Sequence, residues 1–418
     1  MTRLKLRTTT KTIGEKQKNM LIQLVPLKHK ITDNSCIRRC KIKRLNDDGI
    51  NNETDLWFQF DRSISPPQDD DCDAYLLAVV MDAMKENKNI EVKGGVSRQL
   101  LSNLVEYQAI WNKWLPNIYS QIDISVDRIR TGGAKIPGAI CAFSGGIDAT
   151  FSVWRHTQLK CSYRSHKINL CAIVHGFDIP LKDEIAFNNS KNKAQNTLND
   201  IGINLKPIKT NYRNVSRVNW QHSYSCALAA ALSNYKNAAG TCIIGSSEPY
   251  DSLVIPWGSS PITDHLLSSD EFVVIHDGAS HSRTEKVKEI SEWKTGKENL
   301  RVCWQGAYKD RNCGTCEKCV RTKLNFLAVQ TSIPGCFPNS NLINDMKKVT
   351  FKNDIHRAEW RQIYEYAVKN KIKEPWVNKL SSIINNKSII NLILPKRITQ
   401  SKIVRKTNRL LTRVLSRH

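Results

Sequence analysis

The chain has 418 residues, of which 40% are hydrophobic and 24% charged, and a formal charge of +24. That length exceeds one ordinary core and suits two or three domains, while the composition excludes a disordered, collagen-like or bulk membrane-embedded chain. The charge sits at the ends: residues 1–44 carry a net +11 and residues 387–418 a net +9, leaving +4 between them. Ends of this kind either grip nucleic acid, an anionic surface or a partner, or form a solvated arm and tail.

In chain order, the basic arm over 1–44 contains one short apolar run at 20–27, interrupted by Gln23 and Pro26. It is far below the ~18–20 apolar residues that a membrane helix requires, and no other run approaches that length. A small α/β module is expected over 45–132: a strand at 56–60, a helix over 74–84, a short strand at 90–92, a turn at Gly94-Gly95, and a helix from Ser97 as N-cap. Trp111 and Trp114 in that helix read as packing residues.

From residue 133 short apolar runs at 139–143, 170–174, 242–244 and 272–275 alternate with helix-length segments at 150–158, 184–198 and 223–235. Apolar strands separated by helices signify a parallel sheet covered on both faces. The expected domain extends over 133–330, followed by a helical region over 331–386 and a basic tail over 387–418. The tail either packs on the body, frays, or lies on a membrane surface as an amphipathic helix.

The thirteen cysteines are odd in number, and nine have no regular spacing, which argues for reduced thiols and a cytoplasmic setting rather than a disulfide framework. The other four form Cys303-x9-Cys313-Gly314-Thr315-Cys316-Glu317-Lys318-Cys319. Thiols separated by two intervening residues, with a glycine in the turn, favour a tetrahedral zinc ion. An iron–sulfur cluster is the chemical competitor.

The run Ala139-Ile140-Cys141-Ala142-Phe143 leads directly into Ser144-Gly145-Gly146-Ile147-Asp148-Ala149-Thr150, where a helix opens. Two glycines and a helix N-terminus turn backbone N–H groups toward an anion. The loop has neither the lysine of a Walker loop nor the third glycine of a dinucleotide fingerprint.

Ser144-Gly145-Gly146-Ile147-Asp148 resembles the SGG-x-D-[ST] loop of the PP-loop ATP pyrophosphatases, which adenylate an oxygen of their substrate and release pyrophosphate. The resemblance implies an adenine nucleotide alpha hydrolase-like fold, with ATP phosphates held by Ser144, Gly145, Gly146 and Thr150, and Asp148 steadying the loop or a magnesium ion. Ala149 stands where the family usually has serine, which removes one hydroxyl contact. With Cys319-Val320-Arg321 closing the cysteine motif, residues 135–325 are similar to the 7-cyano-7-deazaguanine synthases. Arg283-Thr284-Glu285-Lys286 corresponds inexactly to their Thr-Lys-x-Glu element. The flanks exceed those synthases, and elongated relatives occur in antiphage defence.

This likeness implies an ATP-dependent ligase that adenylates a deazapurine carboxylate for attack by ammonia or by an amine of a partner protein. Asp148, Lys286 and Arg321 would serve the chemistry, and Cys303, Cys313, Cys316 and Cys319 would hold the metal. Glu248, after an apolar strand, and Trp257, Asp264 and His265 in a compact polar loop are candidate substrate contacts, or members of an ordered surface loop. His175, at a strand end, reads as a packed polar residue. A tRNA-modifying PP-loop enzyme and a nucleotide-binding scaffold that has lost catalysis are the alternatives.

Overall fold

A computed structural model describes residues 21–46, 49–303, 306–351 and 354–385. Residues 1–20 of the expected arm and the expected tail over 387–418 lie outside them. The described residues form two compact units: one within residues 21–144, 152–246 and 255–278, the other within residues 145–151, 247–254 and 279–385.

The first unit contains a ten-stranded sheet: β1 (Leu21–Ile31), β2 (Ser35–Asn46), β3 (Gly49–Asp61), β4 (Asn89–Ser97), β5 (Ile124–Arg130), β6 (Ala139–Ala142), β7 (Ile168–His175), β8 (Leu205–Thr210), β9 (Thr241–Gly245) and β10 (Val273–Asp277). Its helices are α1 (Asp73–Glu86), α2 (Arg98–Trp114), most of α3 (Ile147–Thr157), α4 (Glu184–Asn199), the single turn α5 (Tyr212–Val215) and α6 (Trp220–Leu232). The sheet order is β10-β9-β6-β7-β8-β3-β2-β1-β4-β5. β10 through β8 are parallel, β8-β3-β2-β1 are antiparallel, and β1-β4-β5 are parallel again. The protein is thus α/β with a mostly parallel sheet.

In chain order the five parallel strands β6 to β10 form the doubly wound sequence 3-2-1-4-5, whose direction of winding reverses between β6 and β9. Ligands of such sheets bind beyond the carboxyl ends of the strands at that reversal. The glycine loop follows β6, and Gly245-Ser246-Ser247-Glu248 follows β9.

The expected arm is corrected by β1 and β2, which occupy residues 21–46. Along β2, Cys36, Arg38, Cys40, Ile42 and Arg44 are buried while Ile37, Arg39, Lys41 and Lys43 are half-buried. This is the two-residue period of a strand, concealed in the sequence because two inward positions are arginine. Arg38, 0% exposed, donates to Asn234 Oδ1 at 2.9 Å, to the Asp71 carbonyl at 2.5 Å and to that of Gln68 at 3.2 Å, and lies 5.1 Å over the Tyr75 ring.

β3 pairs with β8 through Phe58↔Thr210, Gln59↔Lys209 and Phe60↔Ile208. One core therefore runs from Ile22, Leu24 and Val92 to Ile140, Ile208 and Val274. β8 escaped the sequence reading because Pro207 interrupts it. α1 is buried from Asp73 to Met84 and packs on α6, as a helix apolar all round must. Gly94-Gly95 is part of β4, where the register with β5 shifts, rather than a turn. Ser97 caps α2 as expected, accepting the Leu100 N–H at 3.3 Å.

Charged side chains bring the two edges of the sheet together. Arg130, the last residue of β5, pairs with Asp73 at 2.5 Å, with Asp71 at 3.1 Å and with Glu271, just before β10, at 3.1 Å, and Lys236 joins Asp71 and Glu271.

The second unit is helical: the start of α3, then α7 (Arg283–Ile290), α8 (Lys294–Glu298), α9 (Glu317–Ala328), α10 (Leu342–Lys348), α11 (Asp354–Lys369) and α12 (Pro375–Ile384). Val320, Leu324, Met346, Trp360, Ile363 and Leu380 form its core. No helix among the described residues is long and apolar enough to cross a membrane.

Replacing Arg38 with methionine leaves two buried acceptors, Asn234 Oδ1 and the Asp71 carbonyl, without their donor. The variant is expected to lose about 3 kcal/mol of stability, read as a fall in the urea midpoint at unchanged slope.

Candidate functional site

The loop begins where β6 ends. Ser144 is exposed, and Gly145 has φ +76°, a left-handed conformation that favours glycine. Its carbonyl accepts the Arg301 N–H at 2.8 Å, which fastens the turn. α3 then starts at Ile147, with Asp148 in its first turn, where a carboxylate offsets the positive end of the helix. Thr150, expected at the phosphates, is 1% exposed.

Asp148 faces two cations from α7. Arg283 donates to Asp148 Oδ2 at 2.8 Å and to Oδ1 at 3.4 Å, and Lys286 donates to Oδ1 at 3.2 Å. A capping box between Ser282 and Glu285 fixes the start of α7, and three-residue spacing sets Arg283 and Lys286 on one face. Burial pushes the Asp148 carboxyl up, but Arg283 and then Lys286 outweigh it and hold the group below the usual carboxylate range. Both carboxylate oxygens are thus engaged by cations. Asp148 steadies the loop by holding both cations of α7 against it.

The charges continue inward. Arg283 also pairs with Glu359 of α11, and Glu359 pairs in turn with Arg321 of α9. Arg321 reaches Glu317 at 3.2 Å, one turn earlier on α9. Glu317 accepts the Trp360 indole N–H at 2.8 Å and lies 3.8 Å from His356. Burial lowers the Arg321 pKa to about 10, despite Glu317, so the group remains charged. Burial also takes His356 down to about 4, with Glu317 opposing and Arg321 assisting, so this imidazole is neutral at pH 7.

Next to this network, Cys303, Cys313, Cys316 and Cys319 place four sulfurs within 4.8 Å of one another. Cys303 and Cys316 are 3.6 Å apart, Cys313 and Cys319 3.8 Å. Thiolates ~2.3 Å from a tetrahedral ion are separated by about 3.8 Å, whereas a disulfide would be near 2 Å. Gly314, at φ +80°, makes the turn, and the N–H groups of Cys316 and Gly306 point at the sulfurs of Cys313 and Cys303 at 3.3 and 3.4 Å. These thiols could hold a metal ion. Cys316 and Cys319 straddle the start of α9, so an ion there would fix the helix that carries Glu317 and Arg321.

A second group, His156, Cys161 and Asp277, is as compact but does not suit a metal. His156 Nδ1 accepts the His166 N–H at 3.1 Å, so the ring proton is on Nε2, 3.3 Å from Asp277, leaving no lone pair for an ion. Arg155 already donates to Cys161 at 2.7 Å.

The expected substrate residues divide. Glu248 is buried and accepts the Val254 N–H at 3.2 Å. Trp257 meets Tyr224 edge-on at 6.0 Å. Asp264, fully buried, accepts from Ser259 Oγ at 2.6 Å and the Ser260 N–H at 3.1 Å, and pairs with His276 Nδ1 at 2.8 Å. It therefore organises its own loop. His265 is exposed on the following turn. His175 stacks on Phe187 with ring centres 4.1 Å apart and bonds the Pro180 carbonyl, the packed role expected of it. The sequence reading assigned no role to Arg283, Glu359 or His276. Only the capping box ahead of Arg283 carried a signal.

No family model, no curated protein and no solved structure matches the chain.

His356 contributes stability that is present above about pH 6.5 and is lost as the pH falls toward 4, because the unfolded chain binds the proton first. The melting temperature is expected to fall across that window, and His356→Gln to remove about 2–3 kcal/mol of the pH dependence. Cys316→Ser is expected to abolish stoichiometric metal, measured by elemental analysis.

Proposed function

We propose that the chain is an ATP-dependent, AMP- and pyrophosphate-forming enzyme of the PP-loop type that activates a deazapurine carboxylate for attack by an amine. The observation that carries this reading is the glycine loop after β6 at the winding reversal, with α3 opening behind it and Arg283 and Lys286 held at Asp148. The loop supplies backbone donors and the helix terminus, and α7 supplies two full positive charges.

A carboxylate resists nucleophiles because oxide is a poor leaving group; transfer of AMP from ATP supplies a good one. Gly145, Gly146 and the N-terminus of α3 would bind the phosphates. Lys286 and Arg283 would stabilise the charge that develops on departing pyrophosphate, in a site whose dipoles are fixed before reaction. Because Asp148 holds both cations in advance, little reorganisation is required. Arg321 would act from behind by keeping the charges balanced. Zinc is the ion we assign to the four cysteines: sulfurs at 3.6–3.8 Å suit one tetrahedral ion, where a cluster would spread them further. Its role is structural, since four thiolates leave no open position.

With ATP, magnesium and 7-carboxy-7-deazaguanine, and ammonia or a partner protein as acceptor, pyrophosphate and AMP are expected in equal amounts. Lys286→Met is expected to lower the rate on the order of 10²–10³-fold. Absence of both products with every acceptor overturns the reading. Elemental analysis is expected to give about one zinc per chain, and a visible absorption band with iron would replace zinc by a cluster.

A further inference from the structure

We propose that Glu359 is a positioning residue of the anion site, and that the C-terminal helices are therefore part of that site rather than an appendage. The inference rests on the nucleotide reading above and adds a contribution from α11, which begins beyond residue 325, where the family likeness stops.

The geometry is specific. Arg283 is a fork with one arm on Asp148 and the other on Glu359. Its guanidinium also reaches the Ser247 carbonyl at 3.4 Å, so it joins the loop after β9 to the helix that follows the glycine loop. Glu359 is shared: the same oxygen, Oε2, pairs with Arg283 and with Arg321. All three groups are buried. A guanidinium held on one side only can swing about its stem, whereas one held on both sides presents its remaining face in a fixed direction. Without Glu359, Arg283 and Arg321 would be two buried cations facing each other with no shared counter-charge, and their repulsion would drive Arg283 off its line to Asp148. Lys286, 0% exposed, shares Asp148 with Arg283 and would be disturbed with it. Trp360, next in sequence, donates to Glu317, so α11 is fastened to α9 at two adjacent residues. That fixes the rotation of α11 and the direction of Glu359.

The test uses the full chain and calorimetric titration with inorganic pyrophosphate and with ATP. Glu359→Gln is expected to weaken both at least tenfold, because small misplacements of binding groups are costly, while Glu365→Gln, an exposed change of equal charge on the same helix, leaves them unchanged. In an Arg283→Met background the effect of Glu359→Gln is expected to vanish. Wild-type affinity in Glu359→Gln, or an equal loss with and without Arg283, overturns the proposal. If Glu359→Gln does not fold, Glu359→Asp keeps the charge with a shorter reach: a several-fold loss supports precise positioning, and wild-type affinity overturns it. Failure of the wild type to bind either probe overturns the nucleotide reading itself, and this inference with it.

Discussion

A guanidinium group taken out of water needs acceptors and opposite charge around it, and four arginines of this protein tie distant segments together through that need. In the first unit Arg38, on an inner position of β2, is met by Asn234 and by the carbonyls of Asp71 and Gln68. Arg130 is met by Asp71, Asp73 and Glu271. In the second unit Arg283 and Arg321 share Glu359 and lean on Asp148 and Glu317. Arginine suits these positions because its planar fork stays charged and binds two partners at once. Removing one partner leaves a charge stranded in low dielectric, so each group constrains several elements together.

The consequence differs between the units. Around Arg38 and Arg130 the partners are the Asn234 amide, the backbone carbonyls of Gln68 and Asp71, and the carboxylates of Asp71, Asp73 and Glu271, so the pairings tie β2 and β5 to the start of α1 and to the segments beside α6 and β10. Around Arg283 the partners are carboxylates on two different helices, α3 and α11, the first directly behind the glycine loop. The first arrangement yields shape, and the second yields a directed cluster of charge. The four cysteines belong to the second, since an ion held by them would fix the helix from which Glu317 and Arg321 project.

The legible parts of the chain were those whose signal is local. Apolar runs marked β6, β7, β9 and β10. Ser144-Gly145-Gly146 and the cysteine spacing announced themselves because they are contiguous or nearly so, and their geometry follows from a few backbone angles. β1 and β2 were hidden by composition: in the basic stretch over 21–46 a two-residue alternation exists, but arginine occupies inward positions, so hydrophobicity alone does not reveal it. β8 was hidden by Pro207. Asp264 read as a substrate contact or as a member of an ordered loop, and Ser259, Ser260 and His276 occupy it within its own loop.

By itself the sequence determined the α/β alternation, the position of the turn behind β6 and the grouping of four thiols, because each depends on residues close together in the chain. Tertiary structure alone decided that β3 pairs with β8 and fuses the N-terminal strands to the parallel strands, and that Glu359 meets an arginine 76 residues earlier. Pairings across such distances are selected by burial: the sheet must cover one core, and every charge that enters it must arrive beside its opposite. No local pattern records that requirement, and it is satisfied only when the whole chain has folded.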